Sequence, residues 1–135
     1  MSNGEQMVEA VSGEEMAAIM RDGGFSPELT TDSQGDPLIR FKVEGFRSRV
    51  LFYGVERGKS ASLQFAAGFE HPLPVEAVNE WNRTKRFGKV YLDPDGDPFI
   101  EFDLDLYGGV SAAHIEQAVS RWRSVLLRFT ALLRE

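Results

Sequence analysis

A ten-residue segment occurs twice in this chain and constrains the fold more than any other feature. Asp32-Ser33-Gln34-Gly35-Asp36-Pro37-Leu38-Ile39-Arg40-Phe41 returns 61 positions later as Asp93-Pro94-Asp95-Gly96-Asp97-Pro98-Phe99-Ile100-Glu101-Phe102, with six of ten positions identical. Asp accepts hydrogen bonds from its own downstream backbone, and Gly tolerates positive φ, so each copy opens as a tight turn. The Ile and Phe that follow are two apart and share one face of a strand. Arg40 and Glu101 point the other way. The chain therefore contains two hairpins of one design, with opposite charges on their outer faces.

The remaining elements follow from periodicity. Ser12-Gly13-Glu14-Glu15 has capping-box spacing, and Gly23-Gly24 ends the helix it starts. A short strand is expected around Glu28 to Thr31. The next strand, Leu38 to Glu44, alternates: Ile39, Phe41 and Val43 face one side, Arg40, Lys42 and Glu44 the other. Glu44-Gly45 reads as a two-residue loop, which pairs Val43 with Phe46 and Ile39 with Val50. Leu63, Phe65, Ala67 and Phe69 alternate along a further strand. A second helix is predicted from Pro74 to about Arg86, with Val75, Val78 and Trp81 or Asn82 on its apolar side. The second copy of the repeat pairs Val90 with Ile100 and Lys89 with Glu101. Finally Ser111 caps a long helix after Gly108-Gly109. Ile115, Val119, Trp122, Leu126, Phe129 and Leu133 form its stripe.

This pattern is α+β: an antiparallel sheet of five to six strands with helices packed on one face, in the order α-β-β-β-β-α-β-β-α. Residues 1–11 are read as a flexible N-terminus and residues 12–135 as a single domain. Gly35, Pro37, Asp93, Gly96, Pro98, Gly108 and Gly109 are assigned to turns. Trp81, Asn82 and Trp122 are assigned structural roles.

Composition excludes several chemistries. The chain has no Cys, so thiol catalysis, disulfides and thiolate metal sites are out. A net charge of −6 disfavours nucleic acid, whose binding depends on neutralising phosphates. No apolar run has membrane-spanning length. Met1 to Ala10 carries Glu5 and Glu9 and no apolar core, so no targeting segment is read and a cytoplasmic protein is expected.

Four groups of residues invite a functional reading. Asp93, Asp95 and Asp97 resemble a calcium loop, but the sixth and twelfth positions are Pro98 and Leu104 where Gly and Glu are needed. Turn chemistry is preferred, and no metal or cofactor is expected. Glu101, Asp103 and Asp105 share one strand face with no evident means of splitting their pKa values for acid–base work. Arg40, Lys42, Arg47 and Arg49 share one face of the other hairpin, a candidate surface for an anionic or acidic partner. Leu51, Tyr53, Ala66 and Tyr91 border them if the strand order allows. A Trp among amides and bases in Asn79 to Phe87 reads either as a binding hot spot or, preferentially, as a core anchor. His71 and His114 lack metal spacing. There is no nucleophile elbow and no Walker loop. Asn82-Arg83-Thr84 is an accidental glycosylation sequon. No catalytic residue is assigned.

Those motifs also carry a resemblance. Asn79-Glu80-Trp81-Asn82-Arg83 with Arg86-Phe87, Tyr91 to Asp97, Asp103-Leu104 and Gly108-Gly109-Val110 resemble the YbjN family, labelled as bacterial sensory transduction regulators. Phe52-Tyr53-Gly54 and Leu63-Gln64-Phe65 are similar to its earlier strands. The resemblance implies a curved antiparallel sheet like that of type III secretion chaperones, often dimeric, and no catalytic residues. Val55 and Ala61 lie where family members commonly carry Cys, so no redox role is implied. The expected function is a non-enzymatic regulator or chaperone-like adaptor that binds a protein or peptide partner, as a homodimer. The alternative is a small-ligand sensor with a pocket between sheet and helices near Trp81 and Trp122.

Overall fold

Both copies of the repeat close hairpins, and those hairpins form the two margins of one sheet. The computed structural model describes residues 7–135. Strand β1 (Met7–Val8) is followed by α1 (Gly13–Asp22), β2 (Glu28–Thr31), β3 (Pro37–Val43), β4 (Phe46–Tyr53), β5 (Ser62–Gly68), α2 (Val75–Thr84), β6 (Lys89–Leu92), β7 (Pro98–Asp105), β8 (Val110–Ser111) and α3 (Ala112–Leu133). Six strands make an antiparallel sheet in the order β2-β3-β4-β5-β7-β6, and β1 pairs with β8 in a separate ribbon. The expected α+β order is found, with that ribbon added.

The two turns share their hydrogen bonds. Asp32 Oδ1 accepts from the amides of Gln34 and Asp36 at 2.8 and 3.0 Å. Asp93 Oδ1 accepts from Asp95 and Asp97 at 2.9 Å each. The fourth residue of each turn, Gly35 or Gly96, has φ near +85°, where a side chain would be strained. The identical result with Ser33 and Gln34 in place of Pro94 and Asp95 shows that the shared Asp and Gly build the turn. Registers follow: Val43 pairs with Phe46, Ile39 with Val50, Val90 with Ile100 and Lys89 with Glu101. Glu44 and Gly45, at φ 50° and 87°, make the two-residue loop that matches strand twist.

All three helices lie on the Ile39–Phe41–Val43 face. Met16, Met20, Trp81, Trp122 and Phe129 join Ile39, Phe65 and Ile100 in one core. Trp122 is fully buried and stacks on Phe65 at 5.8 Å, and its indole donates to Ser48 at 3.1 Å. The α3 stripe from Ile115 to Leu133 is buried as the periodicity predicts. α1 starts with the capping box: the Glu15 amide donates to Ser12 Oγ, and Ser12 donates back to Glu15 Oε1. That returned bond from the Ser12 amide holds the Glu15 carboxyl below its ordinary value; burial opposes it, and Lys59 adds to it.

Two local expectations change. Helix α2 ends at Thr84 with Pro74 as its N-cap, and Val75 is 67% exposed rather than on the apolar side. The N-terminus, expected to be flexible over residues 1–11, lies outside the described residues up to residue 6. From Met7 on it is tied down. Met7–Val8 pairs with β8, Val11 exchanges two backbone hydrogen bonds with Ser60, and the Val11 side chain is buried. The physical reason is the Gly108-Gly109 turn, with φ of 90° and 93°, which brings β8 beside the N-terminal strand.

Candidate functional site: the open face of the sheet

Because the helices occupy one face, every second residue of the strands points outward on the other. The register fixes which residues meet there. Arg40 lies directly opposite Arg49, and Lys42 opposite Arg47. Arg49 neighbours Ala66, Ala66 neighbours Glu101, and Glu101 neighbours Lys89. One strand step along, Leu51 faces Gln64 and Gln64 faces Asp103. A further step brings Tyr53, Ser62 and Asp105 into line. The basic and acidic hairpins, read from sequence as two outer surfaces, are two halves of one face joined through β5.

The halves differ in how their charges are satisfied. Arg40, Lys42, Arg47 and Arg49 are all exposed, and among the described residues none has a carboxylate within 4.0 Å. The acidic half is internally bonded. Glu101 pairs with Lys89 at 3.4 Å and accepts from the Tyr91 hydroxyl at 2.8 Å. Gln64 donates to Asp103 at 2.9 Å and to Glu101 at 3.4 Å, and accepts from the Tyr53 hydroxyl at 3.3 Å. The Tyr91 hydroxyl is pushed above its ordinary pKa, first by donating to Glu101, then by burial and the Glu101 charge; Arg49 opposes this. Tyr91 also stacks on Phe99 at 5.6 Å. A depression of about 1220 Å³ borders the basic half. Its lining passes round the β3–β4 hairpin, from Ile19, Phe25 and Val119 on the helix side to Arg40, Lys42, Arg47 and Phe99 on the open side.

The structure therefore brings together all seven residues expected to contact a partner: Arg40, Lys42, Arg47, Arg49, Leu51, Tyr53 and Tyr91. Ala66, expected beside them, is on the same face but buried between Arg49 and Glu101. Sequence reasoning missed Gln64 and its hydrogen bonds to both tyrosine and carboxylate neighbours. Its alternation with Leu63 and Phe65 pointed it outward, but its partners require β5 to pair with β7 across the α2 insertion.

Two other candidates resolve into structural parts. Trp81 is buried, donates to the Gly88 carbonyl at 2.7 Å and meets Phe129 edge-on at 5.3 Å. Asn82 donates to the Val90 carbonyl and accepts from the Val90 amide, at 2.9 and 3.1 Å. Its side chain thus caps the outer edge of β6, which would otherwise offer those groups to another strand. Carboxylate oxygens of Asp93, Asp95 and Asp97 lie within 4.8 Å of one another. Asp93, however, uses its Oδ1 to hold the turn. Neither Trp81 nor Trp122 lines the depression, and both rings are buried in the core.

Fold and face define a class: an α+β domain with a helix-covered core and a charged sheet left open. The family model described as "Putative bacterial sensory transduction regulator", YbjN, matches residues 12–135. The chain belongs to the YbjN family. A search of curated proteins finds no match. No helix among the described residues is long and apolar enough to cross a membrane.

Proposed function

We propose that this chain is a non-enzymatic, cytoplasmic regulator that works as a chaperone-like adaptor, holding an acidic segment of a protein partner on its open face. One observation carries the reading. Arg40 faces Arg49 and Lys42 faces Arg47 across adjacent strands, with no carboxylate within 4.0 Å among the described residues. Like charges directly opposed on a sheet destabilise it. A partner carboxylate set between them removes that cost and accepts bidentate guanidinium hydrogen bonds. The family description as a regulator supports the reading, since it names a role rather than a reaction. The depression also supports it. At about 1220 Å³ it exceeds the ~300–1,000 Å³ usual for small-molecule sites and reaches both sides of a hairpin, which suits a length of chain.

The test is cross-linked affinity capture from the native cell, with the wild type and R40E/R49E side by side. A protein captured by the wild type and lost by the folded variant is the expected result. An unchanged set of captured proteins contradicts the proposal. The small-ligand reading keeps the same depression as its support. A thermal shift on screening metabolites, abolished by R40E/R49E, would favour it.

A further inference from the structure

We infer that the anion held by the open face is a phosphoryl group on an aromatic side chain: a phosphotyrosine in the partner segment. This rests on the adaptor reading of the same face and adds the chemistry of its ligand. Two opposed pairs of bases stand there, Arg40 with Arg49 and Lys42 with Arg47, two residues apart along β3 and β4. All four side chains are exposed, line one depression and, among the described residues, have no carboxylate within 4.0 Å. One carboxylate carries a single charge and answers one pair. A phosphate monoester carries about −1.5 to −2 charges at neutral pH and three strong acceptor oxygens, which arginine forks meet bidentately. Asp93 and Asp97 also line the depression, but they belong to the β6–β7 turn, where Asp93 Oδ1 holds two amides.

An aromatic wall adjoins the bases. Arg49 neighbours Ala66 on β5, and further along β5 Gly68 pairs with Phe99 on β7. Ala66 and Gly68 leave the middle of the face without bulky side chains. The Phe99 ring lies across Gly68: a Cβ placed on that glycine would fall 2.5 Å from the ring. Tyr91 backs the ring in a stack at 5.6 Å and 15° between planes. Phe99 is half-buried and lines the same depression as the four bases. A ring entering the depression therefore meets a fixed aromatic surface while a phosphoryl group on it meets the bases. Aromatic pairs gain more than the area they bury. Phosphoserine has no ring and gains the charge contacts alone.

Calorimetric titration of the full chain tests this with the pentapeptides Ala-Ala-X-Ala-Ala, X being phosphotyrosine, phosphoserine, glutamate or tyrosine, and with AMP as a free phosphate-bearing ring. The phosphotyrosine peptide should bind about three- to tenfold more tightly than the phosphoserine peptide. The glutamate peptide should bind more weakly than either, the tyrosine peptide should not bind, and added salt should weaken the phosphopeptides because such contacts are screened. R47Q/R49Q should lose about tenfold or more. Phe99→Leu should keep phosphopeptide binding and lose the preference for phosphotyrosine. Circular dichroism confirms that each variant is folded, and the ranking of peptides on the wild type needs no variant. Glutamate or phosphoserine binding as tightly as phosphotyrosine overturns the inference, as does AMP binding without the phosphotyrosine peptide, or no binding at all. These results separate from the adaptor reading. A cellular protein captured through Arg40 and Arg49 even after phosphatase treatment of the lysate removes only the phosphoryl group. Ranked peptide binding without a captured protein removes only the adaptor.

Discussion

The first αββ unit (α1, β2, β3) and the second (α2, β6, β7) share a frame and differ in almost everything placed on it. Strand β2 superposes in sequence on β6 at the offset of 61, β3 on the start of β7, and α1 on α2 with a shift of one residue. Met20 corresponds to Trp81, and both are buried. The outer strands diverge. Val90 is 2% exposed and its backbone is capped by Asn82, whereas Leu29 is 39% exposed and Asn82 corresponds to the exposed Arg21. The open-face charges invert. Turn and core are fixed by the need for positive φ and apolar burial. Edge and face are free of those constraints, and there the two units diverge.

Changing the second unit toward the first tests how much of the frame depends on it. Trp81→Ala should have the largest effect, about 3–5 kcal/mol by denaturant unfolding, because it opens a cavity and leaves the Gly88 carbonyl unpaired. Met20→Ala should fall toward the low end of the ~2–5 kcal/mol range, since no hydrogen bond is lost. Asn82→Leu should cost about 1–3 kcal/mol by unpairing Val90 and should also promote concentration-dependent aggregation through the β6 edge. No aggregation would show that α2 covers that edge by bulk alone.

The turns should behave as equals. Asp32→Ala and Asp93→Ala should each cost about 1 kcal/mol, by analogy with losing a capping oxygen that holds two amides. Calcium should raise the melting temperature of neither wild type nor Asp95→Asn. A calcium-dependent rise abolished by Asp95→Asn would separate the turns and make the second a metal loop. The smallest effect belongs to Glu15. Its folded pKa lies below the unfolded value, so its contribution is present above the unfolded pKa and is lost as pH falls through the folded one. Glu15→Gln should flatten that acid-side decline and leave stability at higher pH little changed. An unaltered decline would place the acid dependence elsewhere.

Most of the fold was legible because its signals are local. Turn residues set both hairpin registers, and the α3 stripe named its buried residues. The face was legible in pieces: alternation put Arg40, Lys42, Arg47 and Arg49 together and Glu101, Asp103 and Asp105 together. That the two groups share one surface depends on β5 pairing with β7, which no short-range pattern encodes. The roles of Gln64 and Asn82 were hidden for the same reason, since each bonds a strand brought near only by tertiary structure. The N-terminal ribbon was missed because two-residue strands carry no periodicity.

The proposed adaptor function requires that the opposed bases on β3 and β4 serve a partner at the expense of the isolated fold. The most direct measurement combines the melting temperature of Arg49→Gln, at a dilution where the chain is monomeric, with capture of its cellular partner. Relief of the Arg40–Arg49 repulsion should stabilise the monomer by a few tenths of a kcal/mol, while capture is lost. A variant that melts lower and captures the same proteins as the wild type would show that these bases serve the fold and not a partner.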